Sequence, residues 1–227
     1  MNYIFLDVDG VLNNSDFLLE HKDDECIIDT ASVLQLSYLV KNFNARVVLS
    51  SSWRSGLNDD LSAKYKTKKL VDGTEIASRT QQLLTILETF GISLYGKTEN
   101  IYEGDHWSRP TEILNYIELN LTENDSYVIF DDDDVAMYSQ DGKKGDFKEL
   151  IKHFVQTDFY GHGLDSQAVY KATKILGNRT SQQLLNKIIF SDLVDDITFE
   201  RYTDDEKASA DVRDKAGNLF NITIKEM

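Results

Sequence analysis

Scarcities narrow the reading of this chain first. Its 227 residues include one cysteine, Cys26, so no intrachain disulfide can form and a reducing compartment is the simple expectation. Pro110 is the only proline, and no low-complexity linker breaks the chain. No apolar run approaches the roughly 20 residues of a membrane span. The apolar stretch within MNYIFLDVDG is too short for the core of a cleavable signal, so a cytoplasmic location is expected. Positive charge is short as well, with 24 Lys and Arg against 39 Asp and Glu and a formal net charge of −15. Proteins that grip nucleic acid usually carry a basic patch. The only dense cationic stretch here is KYKTKK, residues 64–69, which reads as a solvated helix end. Charge therefore leans against a polynucleotide partner without excluding one.

An apolar share of 41% and a charged share of 28% suit a soluble domain with a sizeable core. Short apolar runs alternate with helical stripes along the chain. NYIFLDV (2–8), ARVVL (45–49), ISLYG (92–96), SYVIF (126–130) and FVQTD (154–158) read as strands. Residues 28–42, 76–90, 109–119 and 147–153 read as helices, with Gly91 placed as a C-terminal cap and Pro110 in a first turn. Such alternation predicts βαβ crossovers and a mainly parallel sheet. After about residue 177 the pattern changes. SQQLLNKIIFSDLV reads as a helix, and ITFERY and DVRDKAGNLFNITI alternate apolar with polar residues around a turn at Ala216-Gly217-Asn218. The expected organisation is a core over residues 1–177 and a small helix and β-hairpin extension over 178–227, packed on that core.

Chemistry in open α/β sheets collects at the carboxyl ends of strands. Three predicted strands end in polar clusters: Asp7-Val8-Asp9, Ser50-Ser51-Ser52 and Asp131-Asp132. Side chains at i and i+2 of an extended segment share one side, so Asp7 and Asp9 can converge. Carboxylates from two neighbouring strands make a hard oxygen site for a divalent cation.

FLDVDGVLN resembles the first motif of the haloacid dehalogenase superfamily. VVLSSSWR, SRPTEILNYI and YVIFDDDD resemble its second, third and fourth motifs, in order, across residues 3–134, and FVQTDFYGHGL resembles its closing strand and loop. The second motif is similar to that of a subgroup with a Leu-Ser/Thr-Ser-Ser-Trp-Arg pattern, some of whose members accompany nucleic-acid repair enzymes. Arg109 stands where lysine is commoner. The resemblance implies a three-layer αβα, Rossmann-like core and a phosphatase working through an aspartyl-phosphate. It implies Asp7 as nucleophile and Asp9 as the acid and base. Mg²⁺ would be held by Asp7, the main-chain carbonyl of Asp9, and Asp131, with Asp132 close by. Ser50, with Ser51, and Arg109 would hold the phosphoryl oxygens.

Plainer readings stand beside several of these residues. Ser51 and Ser52 suit a helix cap, Arg54 a surface ion pair about as well as a substrate contact, and Asp133 and Asp134 solvated acids. His106-Trp107 reads as a half-buried pair, and neither Cys26 nor the remaining histidines have metal or triad spacing. Superfamily members select substrates through inserted caps. Asn13 to Ala45 holds little beyond a loop and one helix, and only a modest polar insert lies near residues 57–75, so no cap is expected. An open site favours phosphate on a macromolecule. A phosphoprotein, with phosphotyrosine as one form, stands slightly ahead of a nucleic-acid end, because the surface is acidic. A catalytically idle phosphate-binding module is the reading from another class.

Overall fold

The computed structural model describes residues 1–21, 27–71, 73–103, 106–133, 147–177, 194–204, 207–214 and 219–225. They fall into two compact units, Met1–Leu176 and Gly177–Met227.

The first unit is built on five parallel strands: β1 (Asn2–Leu6), β2 (Ala45–Leu49), β5 (Leu94–Lys97), β8 (Ser126–Asp131) and β9 (Phe154–Gln156), in the order β5-β2-β1-β8-β9. Both faces of β1 are covered, so its five residues read as one apolar run. Ile4 and Leu6 join a cluster with Val33, Leu36, Leu83, Leu87, Val169 and Ala172. Tyr3 and Phe5 face the other way, onto Ile113, Ile129 and Leu150. Helices α2 (Thr30–Phe43), α3 (Arg79–Thr89) and α6 (Ser166–Leu176) therefore cover one face, and α4 (Arg109–Asn120) and α5 (Lys148–Ile151) the other. The result is the αβα core that the strand-helix alternation predicts.

Local chemistry sets the helix ends. Asp29 caps α2, its carboxylate accepting from Ala31 N–H at 2.9 Å and from the Ser32 hydroxyl. That helix closes on Asn44 in the left-handed region. The expected helix over 76–90 starts later, because Ser78 caps α3 and Glu75–Ala77 (β4) pairs with Thr67–Lys69 (β3). KYKTKK is thus an exposed stretch that bends at Lys64 and Lys66 and enters β3 at Thr67, and not a helix end. Helix α6 was not anticipated. Neither was the short helix α1 (Ser15–Glu20), in a stretch expected to hold one helix.

The second unit is a three-stranded antiparallel sheet, β10 (Val194–Asp204), β11 (Lys207–Asp214) and β12 (Leu219–Lys225), in that order. It has one strand more than the expected hairpin, because the ITFERY segment pairs with β11 as well. The helix expected over SQQLLNKIIFSDLV lies outside the described residues except for Val194, which opens β10, and Ala216-Gly217-Asn218 lies wholly outside them. Among the described residues no helix is long and apolar enough to cross a membrane.

Candidate active site

The strand order reverses direction between β1 and β8, which makes the crevice beyond their carboxyl ends the topological switch point. The parallel ladder runs one residue past the strands. Asp7 N–H reaches Phe130 O at 3.0 Å, Ser50 N–H reaches Leu6 O at 2.9 Å, and Thr157 N–H reaches Asp131 O at 3.0 Å. Asp7, Ser50 and Asp131 are thereby delivered side by side.

Asp7, Asp131 and Asp132 each bring a carboxylate oxygen into a group whose members lie within 4.8 Å of one another. Arg109 Nη1 stands 2.7 Å from Asp131 Oδ2 and 3.4 Å from Asp7 Oδ1. Burial pushes Asp131 up to about 8, with the charge of Asp7 adding to the effect. The same causes push Asp132 up to about 6. Asp7 is raised too, since its burial outweighs the Arg109 guanidinium and a hydrogen bond from Ser51. Burial opposes the charge of Arg109, but Asp7, Asp131 and Glu112 together raise its pKa. Three carboxylates that resist ionising so close together lack positive charge, and a hard divalent cation on oxygen ligands would supply it. Ser50 Oγ is fully buried and has no hydrogen-bond partner. Buried hydroxyls are seldom left so; a ligand oxygen would complete it. The donor set thus fits both a cation and an oxyanion.

Asp9 stands apart from the carboxylate group. Its Oδ2 accepts from Trp53 Nε1 at 2.9 Å and its Oδ1 from Asn13 Nδ2 at 3.1 Å, while Asn13 Oδ1 accepts from Gly10 N–H. Both carboxylate oxygens of Asp9 are thus oriented by these donors, each with a lone pair to spare. Gly10 has φ +72°, and a Cβ there would lie 2.4 Å from Cβ and Cγ of Asp132. Ser51 bonds Asp7 and also caps the 3₁₀ turn Ser52–Gly56, so its cap reading and a role at the site coexist.

Arg54 makes an ion pair, but a buried one. It is 3% exposed, not a surface residue, and its Nη2 lies 2.6 Å from Glu112 Oε1. Its Nη1 donates to the carbonyls of Ser50 and Ser51, at 3.1 and 2.7 Å. Glu112 accepts from Ile101 N–H and sits 3.9 Å from Arg109 Nε. Sequence reasoning missed Glu112, Trp53 and Asn13. The i,i+3 spacing of Arg109 and Glu112 was the one signal available. Asp133 is exposed and donates its N–H to Asp131 Oδ1, and Asp134 lies outside the described residues. His106-Trp107 forms a strand, β7, paired with Tyr102–Glu103 (β6).

The parallel αβα core and the acid-rich edge at its switch point define the class, a hydrolase-type, phosphatase-like domain of the haloacid dehalogenase superfamily. The model of one family in it, described as the HAD domain in Swiss Army Knife RNA repair proteins, matches residues 3–169, and the chain belongs to that family. No curated protein and no solved structure matches the chain.

Proposed function

We propose that the chain is a Mg²⁺-dependent phosphomonoesterase that removes a terminal phosphate from a nucleic-acid strand through an aspartyl-phosphate on Asp7. The observation that carries this reading is the convergence of Asp7, Asp131 and Asp132 within 4.8 Å, with Arg109 against them, at the switch point of the sheet. Asp7, Asp131 and Asp132, with the main-chain carbonyl of Asp9, are the groups to hold Mg²⁺. When bound, the ion offsets the repulsion between an anionic carboxylate and an anionic phosphate.

In the first step an oxygen of Asp7 attacks phosphorus, and the leaving ester oxygen takes a proton from Asp9. In the second step Asp9 takes a proton from water as that water attacks the aspartyl-phosphate, which frees inorganic phosphate and restores Asp7. Trp53 and Asn13 hold the two oxygens of Asp9, which fixes its direction. The unpartnered Ser50 hydroxyl donates to a phosphoryl oxygen, and Arg109 balances charge as the group transfers.

On net charge alone a phosphoprotein ranked ahead of a nucleic-acid end. The family description concerns RNA repair, nothing in the structure favours a phosphoprotein, and the order reverses. The test is Mg²⁺-dependent release of phosphate from p-nitrophenyl phosphate and from phosphorylated RNA ends, abolished in Asp7→Asn. A wild type that binds these ligands without turnover would be a phosphate-binding module, and the reading would fail.

A further inference from the structure

Beside the site, along edge strand β5, lies a cavity of about 460 Å³. Thr98 and Arg54 are among the residues that line it, and both touch the site's own loop. Thr98 N–H bonds Leu49 O, directly before Ser50, and Arg54 holds the carbonyls of Ser50 and Ser51. Thr98 Oγ1 is buried with no hydrogen-bond partner, so the wall offers an unused polar atom. Lys64 lines the same cavity, its amine on Ser55 O at 2.7 Å. From Lys64 the chain runs out through Tyr65, Lys66, Lys68 and Lys69 along β3, all of them exposed, with Tyr65 at 73%. Backbone bonds pin this segment: Lys64 N–H to Gly56 O and Ser78 N–H to Lys66 O. The described acids nearby are Glu75 opposite Lys69, Asp60 just before the segment, and Asp59 and Glu99 at the cavity, where Lys97 meets Asp59.

We propose that the Lys64–Lys69 segment and the cavity beside it form a track for the single-stranded polynucleotide whose phosphorylated end enters the active site. The proposal rests on the phosphatase reading for the end of the strand and goes beyond it in assigning the path of the rest. Four exposed lysines within six residues offer ammonium groups to neighbouring backbone phosphates, and the exposed Tyr65 ring among them offers a stacking surface to a base of any identity. A phosphopeptide needs one phosphate pocket and no such cluster of cations.

The test measures binding separately from turnover. Fluorescence anisotropy gives the Kd of a labelled, terminally phosphorylated oligoribonucleotide of about ten nucleotides for the full chain, across a series of salt concentrations. The variants are Lys66→Gln/Lys68→Gln/Lys69→Gln and Tyr65→Ala, at exposed positions. The triple variant is expected to raise Kd about tenfold or more at 0.1 M salt and to flatten the log–log salt slope by about 2. Tyr65→Ala is expected to raise Kd about fivefold or more. A deoxyribonucleotide strand run in parallel separates the sources: equal losses mean that phosphates and base faces are read, and loss on RNA alone means that the 2′-hydroxyl is read too. Either supports the track. Unchanged Kd and slope in both variants overturn it, as does a strand that fails to bind while a phosphotyrosine peptide binds. Hydrolysis of p-nitrophenyl phosphate by the same proteins reports on the phosphatase reading alone.

Discussion

Removing one member of the buried pair Arg54–Glu112 should cost far more than removing both. Their side chains are 2% and 1% exposed, and Nη2 stands 2.6 Å from Oε1. Burial lowers the pKa of Arg54 and raises that of Glu112 in spite of the partner, so desolvation outweighs attraction for each. A pair in that balance adds little net stability, yet breaking it strands a charge at a cost of about 3–5 kcal/mol. Glu112→Gln leaves a guanidinium that cannot lose its proton, so the full cost persists at every pH. Arg54→Met leaves a carboxylate that can take a proton. The folded-state pKa of Glu112 lies above its unfolded value, so the deficit of this variant is full above the folded value and fades as pH falls through it toward the unfolded one. In Arg54→Met/Glu112→Leu no charge is buried. What is lost is the bonds to Ser50 O and Ser51 O, about 1–3 kcal/mol, together with the bond from Ile101 N–H and the contact with Arg109 that Glu112 makes. The removed desolvation offsets part of this, so the double variant should lie closer to the wild type than either single one. Urea unfolding from pH 5 to 8 measures all three. A Glu112→Gln loss below about 1 kcal/mol, or a double variant no better than either single one, would refute the reasoning.

Other consequences are equally open to measurement. Gly10→Ala places a left-handed alanine against Asp132, at about 1–2 kcal/mol for the backbone alone. Asp132 must then move, so the Mg²⁺ concentration for half-maximal activity should rise; an unchanged value would show that Asp132 does not serve the ion. Mg²⁺ at about 100 times its Kd should stabilise the protein by about 2.7 kcal/mol, or about 5–10 °C in Tm. Calorimetry with and without chelator should show that gain in the wild type and lose it in Asp131→Asn. Asp125 accepts from the amino terminus and from Thr122, and these bonds hold its carboxyl down at about 2. A depressed acid stabilises above its unfolded pKa, and the effect disappears as pH falls through the folded one. The Tm gap between wild type and Asp125→Asn should therefore be constant between about pH 5 and pH 7 and close toward pH 2; a gap that does not narrow on the acid side would refute the assignment.

The sheet was legible because each of its strands is a local apolar run, and parallel pairing aligns their carboxyl ends without further information. Asp7, Ser50 and Asp131 come together for that reason alone. Helix α6 was legible too, and the expectation passed over it: Ala168, Val169, Ala172, Thr173 and Leu176 are all buried and stand at helical spacing along one face. The contacts that hold the site in place were hidden. Trp53 on Asp9 and Arg54 on Glu112 join residues 44 and 58 positions apart, and no local pattern announces a buried charge. The argument from net charge to partner carries little weight for a related reason. A net −15 is a sum over the whole surface, whereas at physiological salt a charge is felt over only about 8 Å. A ligand on Lys64, Lys66, Lys68 and Lys69 meets those amines and the acids beside them, not the sum over the chain. Total charge governs solubility and long-range approach; the choice of a polyanionic partner is made by the charges within one Debye length of where it lies.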